Sequence, residues 1–464
     1  MEGNKMDKMA NEKQMQLHDI MNEIPEVAEK EQKTKDDETK VIIFRKIWTL
    51  RDNQVVTFEN DENNEGYDEF LDYLAYRAAT DQWYRVKISE LYGVGIRKEP
   101  LFSKEDAKGV KYIRGSISHE LKVPIDINQW PFEECIRDGL LVIAMPTKNG
   151  FTAWPTRYTA THSLLKRAGV FCDAMLLSER RGKVGVVDIR KKADIFNMGR
   201  DVRDNDAVVL IRDGKIGYAG SSTYVRLCPM EGEEAFFEVL KKDHPDIKFD
   251  KGMASHEYVF GEYLLHDKTM EESLRVMMDE ACSSTTIKHL RAGVRYATSE
   301  VGMSAMNAHC FVDIKTADKE KWTRITLPND VRVEHDGKAS IEMWREELEK
   351  LGTIFKECEE RLEALGNIPI ECVWDVVKHI RETYTFLPVK STETIITQLK
   401  TMLPDGKGTA MDCFMALNDI VQDALQTGGM ATPATYINIT EQVARLMFLD
   451  YHKIDKTKEC NKRK

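Results

Sequence analysis

The middle of the chain alternates apolar and polar residues in the way that half-buried β-strands do. Across residues 290–296, Leu, Ala, Val and Tyr alternate with Arg, Gly and Arg, and a second alternation runs from Met306 to Ile314. A side-chain period of two residues places one set on each face of a sheet. This pattern predicts two adjacent strands with one apolar face and one cationic face.

A hairpin is predicted upstream of these strands. Asp213 and Gly214 separate two apolar runs, and Asp-Gly suits a type I′ turn because both central positions need positive φ. The expected cross-strand pairs are Ile211 with Ile216 and Val209 with Tyr218, which leaves Arg212, Lys215, Gly217 and Ala219 on the opposite face.

Apolar residues at steps of three and four predict helices on either side of the sheet. One helix is expected over Tyr67–Tyr84, and another over Thr156–Ala168 that ends at Gly169, a residue suited to the left-handed C′ position. A heptad seam is predicted in the C-terminal third. Its members are Trp344, Leu348, Leu351, Phe355, Cys358, Leu362 and Leu365. The seam can pack inside the chain or between two copies in a homo-oligomer.

These elements predict an α+β fold with a mixed or antiparallel central sheet and a helical C-terminal region. The expected divisions are an acidic mobile arm over 1–40, a small α+β domain over 41–150, a central α+β domain over 151–318 and a helical region with a basic tail over 319–464. A length of 464 residues suits two to four domains.

The amino-acid composition restricts the class of protein and its cellular compartment. Apolar residues make up 42% and charged residues 31%, as in soluble globular proteins. Neither a bilayer-spanning apolar run nor a secretory leader is recognisable, which predicts a protein without a membrane partner. Nine cysteines without a C-x-x-C spacing suit reduced thiols in a cytoplasm. The net charge of −11 disfavours general polyanion binding but allows a local basic face.

Recognisable catalytic motifs are missing from the sequence. The chain has no G-x-x-x-x-G-K-[ST], no G-x-S-x-G and no H-E-x-x-H. His309 and Cys310 are neighbours in a strand and therefore point to opposite faces, which does not suit one metal. We therefore predict no catalytic residues, cofactor or metal. A hydrolase or transferase with a dispersed site is the third hypothesis.

The cationic strand face suggests a binding surface instead. Arg291 and Arg295 share one face, Arg212 and Lys215 flank the hairpin turn, and phosphates pair well with such groups. Tyr218 or Tyr224 would stack on bases. The alternative is that these arginines pair with nearby acids such as Glu300 and Asp279.

A second basic stretch covers Glu179–Arg203 and includes Arg190, Lys191 and Lys192. It is interpreted either as a solvated loop flanking a strand at Val184–Ile189 or as a stretch that contacts phosphates.

Four segments resemble the phage/plasmid-like protein family, a domain of unknown function. They read T-A-T-H-S-L-L-K-R-A-G-V, R-D-G-K-I-G-Y-A-G-S-S-T-Y, A-T-S-E-V-G-M-S-A and G-T-A-M-D-C-F-M-A-L-N-D-I, within Tyr158–Tyr451. The chain departs from the family where C-F-V-D-I replaces a Cys-Asn-Gly element. The motif positions are Ser222, Tyr224, Ser299, Glu300, Val301, Gly302 and Asn418.

The resemblance implies a protein of phage or plasmid DNA metabolism in the cytoplasm of a bacterial host. By analogy with RecT-like phage proteins, it extends to a role in binding or annealing single-stranded nucleic acid. The alternative is a protein-interaction or anti-defence module that acts on a host protein through the acidic arm and the C-terminal helices.

Overall fold

A computed structural model describes residues 44, 46–52, 54–94, 112–113, 123–124, 131–132, 134, 140–147, 150–170, 189–203, 205–317, 321–328, 331–427 and 432–456. The predicted arm at 1–40 and the end of the predicted basic tail lie outside these residues. The fold is α+β, with antiparallel sheets, helices and a helical C-terminal region. None of the described helices is both long and apolar enough to span a bilayer.

The strands of the described residues are, in chain order, β1 (Val56–Glu59), β2 (Gln82–Lys87), β3 (Tyr92–Val94), β4 (Tyr112–Ile113), β5 (Val123–Pro124), β6 (Val142–Thr147), β7 (Gly150–Pro155), β8 (Asp206–Arg212), β9 (Lys215–Ser221), β10 (Lys248–Ala254), β11 (Val259–Leu264), β12 (Ile287–Thr298), β13 (Met306–Thr316), β14 (Thr323–Thr326), β15 (Val331–Val333), β16 (Pro369–Ile370) and β17 (Gly408–Thr409). The α-helices are α1 (Glu65–Thr80), α2 (Tyr158–Arg167), α3 (Ile189–Arg200), α4 (Pro229–Asp243), α5 (Lys268–Ala281), α6 (Ile341–Leu348), α7 (Leu351–Gly366), α8 (Val373–Thr383), α9 (Val389–Met402), α10 (Ala410–Gln426), α11 (Pro433–Arg445) and α12 (Tyr451–Asp455).

The chain divides into two compact units. Residues 81–222 belong to the smaller unit, whereas Lys46–Thr80 and Thr223–Lys464 form the larger unit. This division differs from the predicted boundaries at 150 and 318. The larger unit gathers α1 from the N-terminal side because the aromatic face of α1 packs on β10; the rings of Phe70 and Phe249 stack at 5.2 Å.

The larger unit is built on a seven-stranded antiparallel sheet. Its order is β1-β10-β11-β12-β13-β14, with β15 also paired to β13. The alternation predicted for β12 and β13 is confirmed on one side, where Leu290, Val294, Tyr296 and Ile314 join the hydrophobic core. We call this the core face of the sheet and the opposite side its outer face.

The predicted heptad seam is buried inside the same unit. All seven of its residues belong to the hydrophobic core, and each is at most 7% exposed. They also lie on two helices rather than one, because α6 ends at Leu348 and α7 begins at Leu351. The seam therefore packs inside the chain, which is the first of the two alternatives, and its residues face the chain's own core.

The smaller unit contains the predicted hairpin, in the sheet β2-β8-β9. Asp213 and Gly214 have φ of 55° and 70°, as a type I′ turn requires. Ile211 pairs with Ile216 as expected, but Tyr218 pairs with Leu210. A bulge at 210/211 shifts the register by one residue, which moves Ala219 into the core instead of the opposite face.

Two helix predictions need correction. The helix expected over Tyr67–Tyr84 ends at Thr80, and Gln82–Lys87 is a strand. The predicted basic loop is helical from Ile189 to Arg200, while Glu179 to residue 188 lies outside the described residues. The helix that precedes Gly169 is confirmed, and Gly169 has the expected positive φ of 77°.

Candidate nucleic-acid interface

Arg291 and Arg295 both lie on the outer face of β12, as the alternation predicts. The strand register sets their neighbours, since Arg295 faces Glu262 on β11 and Arg291 faces Asp313 on β13. Facing side chains on one side of an antiparallel pair are close enough to interact. Each of these two arginines therefore has a carboxylate as a direct cross-strand neighbour.

Glu262 is the centre of these contacts. Its side chain is completely buried, and it forms ion pairs with Arg324 and with the Lys251 Nζ at 3.4 Å. The Tyr436 hydroxyl donates to its Oε1 at 2.9 Å. Burial by itself would raise the pKa of Glu262, but attraction by Arg324 and Lys251 outweighs burial and lowers the pKa to about 2.

Asp313 accepts hydrogen bonds from Arg291 and Arg324. Its Oδ2 accepts from Arg291 Nε at 3.1 Å, and its Oδ1 accepts from Arg324 Nε at 2.7 Å. Arg291 lies 3.8 Å from Asp250 and stacks 4.7 Å from the ring centroid of Trp322. We define Lys251, Glu262, Arg291, Arg295, Asp313 and Arg324 as the outer-face charge network.

Helix α11 covers Arg295. The Arg295 Nη1 donates to Thr440 Oγ1 at 2.9 Å, and its Nη2 lies 3.6 Å from Glu441. Glu441 also lies 3.2 Å from His309 Nε2. Burial tends to raise the pKa of Glu441, but His309 and Arg295 together lower it. With 2% of its surface exposed, Arg295 is not on a solvated face, so the prediction of a cationic outer face open to solvent is wrong at this residue.

The two cations at the hairpin are also paired. Arg212 donates to Asp81 through Nε at 2.9 Å, and Lys215 Nζ lies 2.9 Å from Glu134. Both cations are buried, at 5% and 0% exposure. Burying a charge is costly unless it is paired, which is why carboxylates accompany these two residues. They hold the hairpin in place and do not present charge to a ligand.

Tyr224 belongs to a buried cluster around the predicted S-E-V-G motif. Its hydroxyl donates to the Glu300 carbonyl at 2.8 Å, and its ring stacks on His335 at 5.5 Å. Burial lowers the pKa of His335 to about 4, although a hydrogen bond to the Val225 carbonyl opposes this. A ring already stacked inside the fold cannot serve as the predicted platform for a base.

The motif residues themselves have structural surroundings. Glu300 accepts from Arg226 at 3.2 Å, and Ser299 Oγ accepts from the Met303 backbone N–H at 3.3 Å. Gly302 has a φ of 68°, which suits glycine. Val301 is buried, Ser222 is exposed, and Asn418 donates to the Phe414 carbonyl one helical turn earlier at 2.9 Å.

The second basic stretch contributes one described side chain to the candidate set. Lys192, in α3, is 1% exposed, so it does not face solvent as a phosphate ligand would. Arg190 and Lys191 fall in the first turn of the same helix.

Tyr218, like Arg291, is a predicted residue that remains partly exposed on a sheet surface. It lies opposite Leu210 on β8, and Leu210 lies opposite Trp83 on β2. Trp83, Leu210 and Tyr218 therefore share one face of the sheet β2-β8-β9, away from the core that takes Val209 and Ala219. Both aromatic side chains retain partial exposure.

Cations that the sequence reasoning missed lie beside these rings. Arg85 follows Trp83 on the same strand face, is exposed, and donates to the Ser222 carbonyl at 3.2 Å. Arg167 lies close enough to Tyr218 to oppose the rise in the tyrosine pKa that burial causes. Neither arginine forms an ion pair within the described residues. We define Trp83, Arg85, Arg167 and Tyr218 as the aromatic–arginine face.

A sequence signal for this face existed in W-Y-R-V-K, which alternates Trp83, Arg85 and Lys87 against Tyr84 and Val86. It was hidden because the apolar spacing upstream extends a helical prediction through Tyr84. The spacing of apolar residues changes from that of a helix to that of a strand within the two residues after Thr80.

The described part of the chain contains no group of three or more His, Cys, Asp or Glu side chains arranged to hold a metal ion. Its described cysteines are free thiols, and burial raises the pKa of Cys310, Cys358 and Cys413. A raised thiol pKa disfavours the nucleophilic thiolate.

Fold and site together define an α+β protein with a partly exposed aromatic and cationic sheet face. Comparison with protein-family profiles, with curated proteins and with solved structures finds no match to this chain.

Proposed function

We propose that this protein binds single-stranded nucleic acid on the aromatic–arginine face of its smaller unit. The observation that supports this is the pair Arg85 and Arg167, two arginines without carboxylate partners among the described residues, beside two partly exposed rings. Arginine pairs well with phosphate because its planar fork can donate two hydrogen bonds. The arginines without a carboxylate partner among the described residues are thus different from those that the alternation indicated.

The aromatic rings favour a single strand over a duplex. Trp83 and Tyr218 sit on two outer strands of the sheet with Leu210 between them. Bases stack on aromatic side chains only when they are unpaired, and each stacked base contributes about 1–3 kcal/mol. Arg85 and Arg167 would then follow the backbone at the edges of the rings.

The acidic net charge is compatible with this proposal. Of the −11 net charge, several carboxylates are already paired internally, including Glu262, Asp313 and Asp81. Binding depends on the local field at the contact surface rather than on the total charge. A moderate affinity that falls as the salt concentration rises is expected.

The biological setting follows from the family resemblance. A phage or plasmid protein of DNA metabolism would meet single strands during replication and recombination, and annealing in the manner of RecT-like phage proteins extends the same activity. This step is analogy from the resembling segments to the whole protein.

The test is fluorescence anisotropy with a labelled oligothymidylate at several salt concentrations. We expect the double variant Arg85→Gln/Arg167→Gln to bind at least about tenfold more weakly, with a shallower salt slope by about 0.7 per lost phosphate contact. The matched control is Lys378→Gln/Lys400→Gln, which changes net charge equally at exposed positions of α8 and α9.

Two results would contradict the proposal. One is no binding by the unaltered protein at low salt. The other is a double variant that binds as tightly as the control, with an unchanged slope. Preference for duplex over single strand would remove the stacking role of Trp83 and Tyr218.

A protein-interaction module remains the second candidate, favoured by exposed apolar side chains. Met198 and Val202, four residues apart on and just after α3, are 73% and 81% exposed, and Phe448 in the C-terminal region is 63% exposed. Exposed apolar residues often mark protein contacts. Capture of one stoichiometric host protein, lost in Met198→Ser/Val202→Ser, together with no oligonucleotide binding, would favour this function.

A further inference from the structure

A cleft in the larger unit lies between α9, α10 and the residues that lead into β14. Its volume is about 520 Å³, within the range of small-molecule sites in proteins. The cleft is separate from the aromatic–arginine face, which belongs to the smaller unit. The proposed function leaves this cleft without a role.

One wall of the cleft is a polar stripe on an otherwise apolar helix. Asp419, Gln422, Asp423 and Gln426 follow one another on α10 at steps of three, one and three residues and therefore share one helical face. Most of the other α10 residues are buried, including Met415, Leu417 and Ile420. Carboxylates and carboxamides in this arrangement offer several planar hydrogen-bonding groups to one space.

Some side chains of this stripe form hydrogen bonds within the larger unit, and others do not. Thr323 Oγ1 donates to Asp419 at 3.0 Å, and Lys321 Nζ donates to Gln426 at 3.3 Å, which ties the start of β14 to α10. In contrast, the side chains of Gln422 and Asp423, and of Gln398 across the cleft on α9, form no hydrogen bond within the described residues.

Trp322 supplies an aromatic wall. Its ring lines the cleft and carries the Arg291 guanidinium at 4.7 Å from its centroid. A ring that already holds one cation is a poorer partner for a second, which disfavours an organic cation as ligand. The apolar ring instead suits the C–H face of an uncharged ligand.

The charged side chains of the cleft further restrict the class of ligand. Among the described residues that line the cleft, Asp419 and Asp423 outnumber the single cation Lys321, and none is an arginine. Phosphate and carboxylate ligands require cations or helix N-termini at the site. Neutral carboxamides beside carboxylates can donate to and accept from adjacent hydroxyl groups.

We propose that this cleft binds an uncharged, polyhydroxylated ligand of mono- or disaccharide size. Trp322 would pack against the sugar ring, and Gln398, Gln422 and Asp423 would bind its hydroxyl groups. The proposal is independent of nucleic-acid binding, because it uses no residue of the aromatic–arginine face.

The experiment is saturation-transfer NMR followed by calorimetry on the full chain. The probes are glucose, galactose, mannose, N-acetylglucosamine, maltose and cellobiose, with adenosine, uridine and spermidine as probes of other ligand classes. We expect at least one saccharide to bind in the millimolar range or tighter. Asp423→Ala should weaken that binding at least about tenfold, because a hydrogen bond to a charged group is lost, and Gln422→Ala should weaken it about fivefold.

The matched control is Gln442→Ala, an exposed glutamine on α11 outside the cleft. Trp322→Ala removes the stacking partner of Arg291 and can unfold the protein. The proposal is therefore tested with Gln422→Ala and Asp423→Ala. Absence of saccharide binding overturns the proposal. Binding of only nucleosides or spermidine, lost in the same variants, also overturns it and assigns the cleft to that ligand class.

Discussion

Arg85 of the smaller unit contrasts with the sheet-face arginines of the larger unit. In the larger unit, the outer-face charge network places Arg295 and Arg324 opposite carboxylates and beneath α11, where each arginine is at most 8% exposed. In the smaller unit, Arg85 is exposed and has no carboxylate partner among the described residues. The side-chain alternation is the same in both sheets, so the neighbouring strands and helices decide whether an arginine stabilises the fold or faces a ligand.

The largest effect is expected when the network loses its central carboxylate. Glu262→Gln leaves Arg324 and Lys251 without their shared buried partner, which should reduce the free energy of unfolding by about 3–5 kcal/mol. Urea unfolding followed by circular dichroism measures this. The control Glu346→Gln, exposed on α6, should change stability by less than about 0.5 kcal/mol. Equal effects of the two variants would mean that the network does not stabilise the larger unit.

A paired and an unpaired arginine can also be compared within one sheet, that of the smaller unit. Arg212→Gln leaves the buried Asp81 carboxylate without its ion pair and should cost about 3 kcal/mol. Arg85→Gln, on the neighbouring strand β2, should cost less than about 0.5 kcal/mol because its side chain is exposed. Thermal unfolding of the two variants in the same buffer compares them. A larger loss for Arg85→Gln would reverse the assignment of the two arginines.

Acid should weaken the larger unit through His335. Burial lowers the pKa of this histidine from 6.5 to about 4, so below pH 6.5 the unfolded chain gains a proton that the folded chain excludes. Stability is therefore complete above pH 6.5 and falls between pH 6.5 and 4, by up to about 3 kcal/mol. The free energy of unfolding, measured with denaturant across this pH range, should depend less steeply on pH in His335→Gln than in the unaltered protein. Identical slopes would show that His335 is not excluded from protonation.

The smallest effect concerns the turn of the S-E-V-G motif. Gly302→Ala places a side chain at a φ of 68° and should destabilise the protein by about 1 kcal/mol. Gly352→Ala is the control, because Gly352 lies within α7 with open space around it and should gain up to about 1 kcal/mol. Melting temperatures that move in the same direction would mean that the motif glycine is not needed for its backbone conformation.

Local patterns identified much of the fold correctly. The Asp213-Gly214 turn, the alternation in β12 and β13 and the helix end at Gly169 each depend on residues that are close in sequence. The heptad spacing also found buried residues such as Trp344 and Leu362. It could not show that they pack on the chain's own sheet, because spacing reveals an apolar face but not its partner.

The candidate site was predictable only in part. Tyr218 was identified and remains partly exposed, whereas Arg85 and Arg167 were missed. Arg85 lies in a strand that follows α1 after a single residue, so the apolar spacing of the helix masked the change of period. Arg167 reaches Tyr218 only because α2 folds back on β9, where Ser163 Oγ accepts from the Ala219 N–H at 3.0 Å.

By itself, the sequence determined where strands, turns and most helices form, because backbone preferences and apolar spacing act over a few residues. Only the tertiary structure decided which charges are neutralised. Glu262 and Arg324 are 62 positions apart in the sequence, yet strand order brings them into one buried ion pair. Electrostatic energy depends on distance in space and on burial, and neither quantity is contained in local sequence.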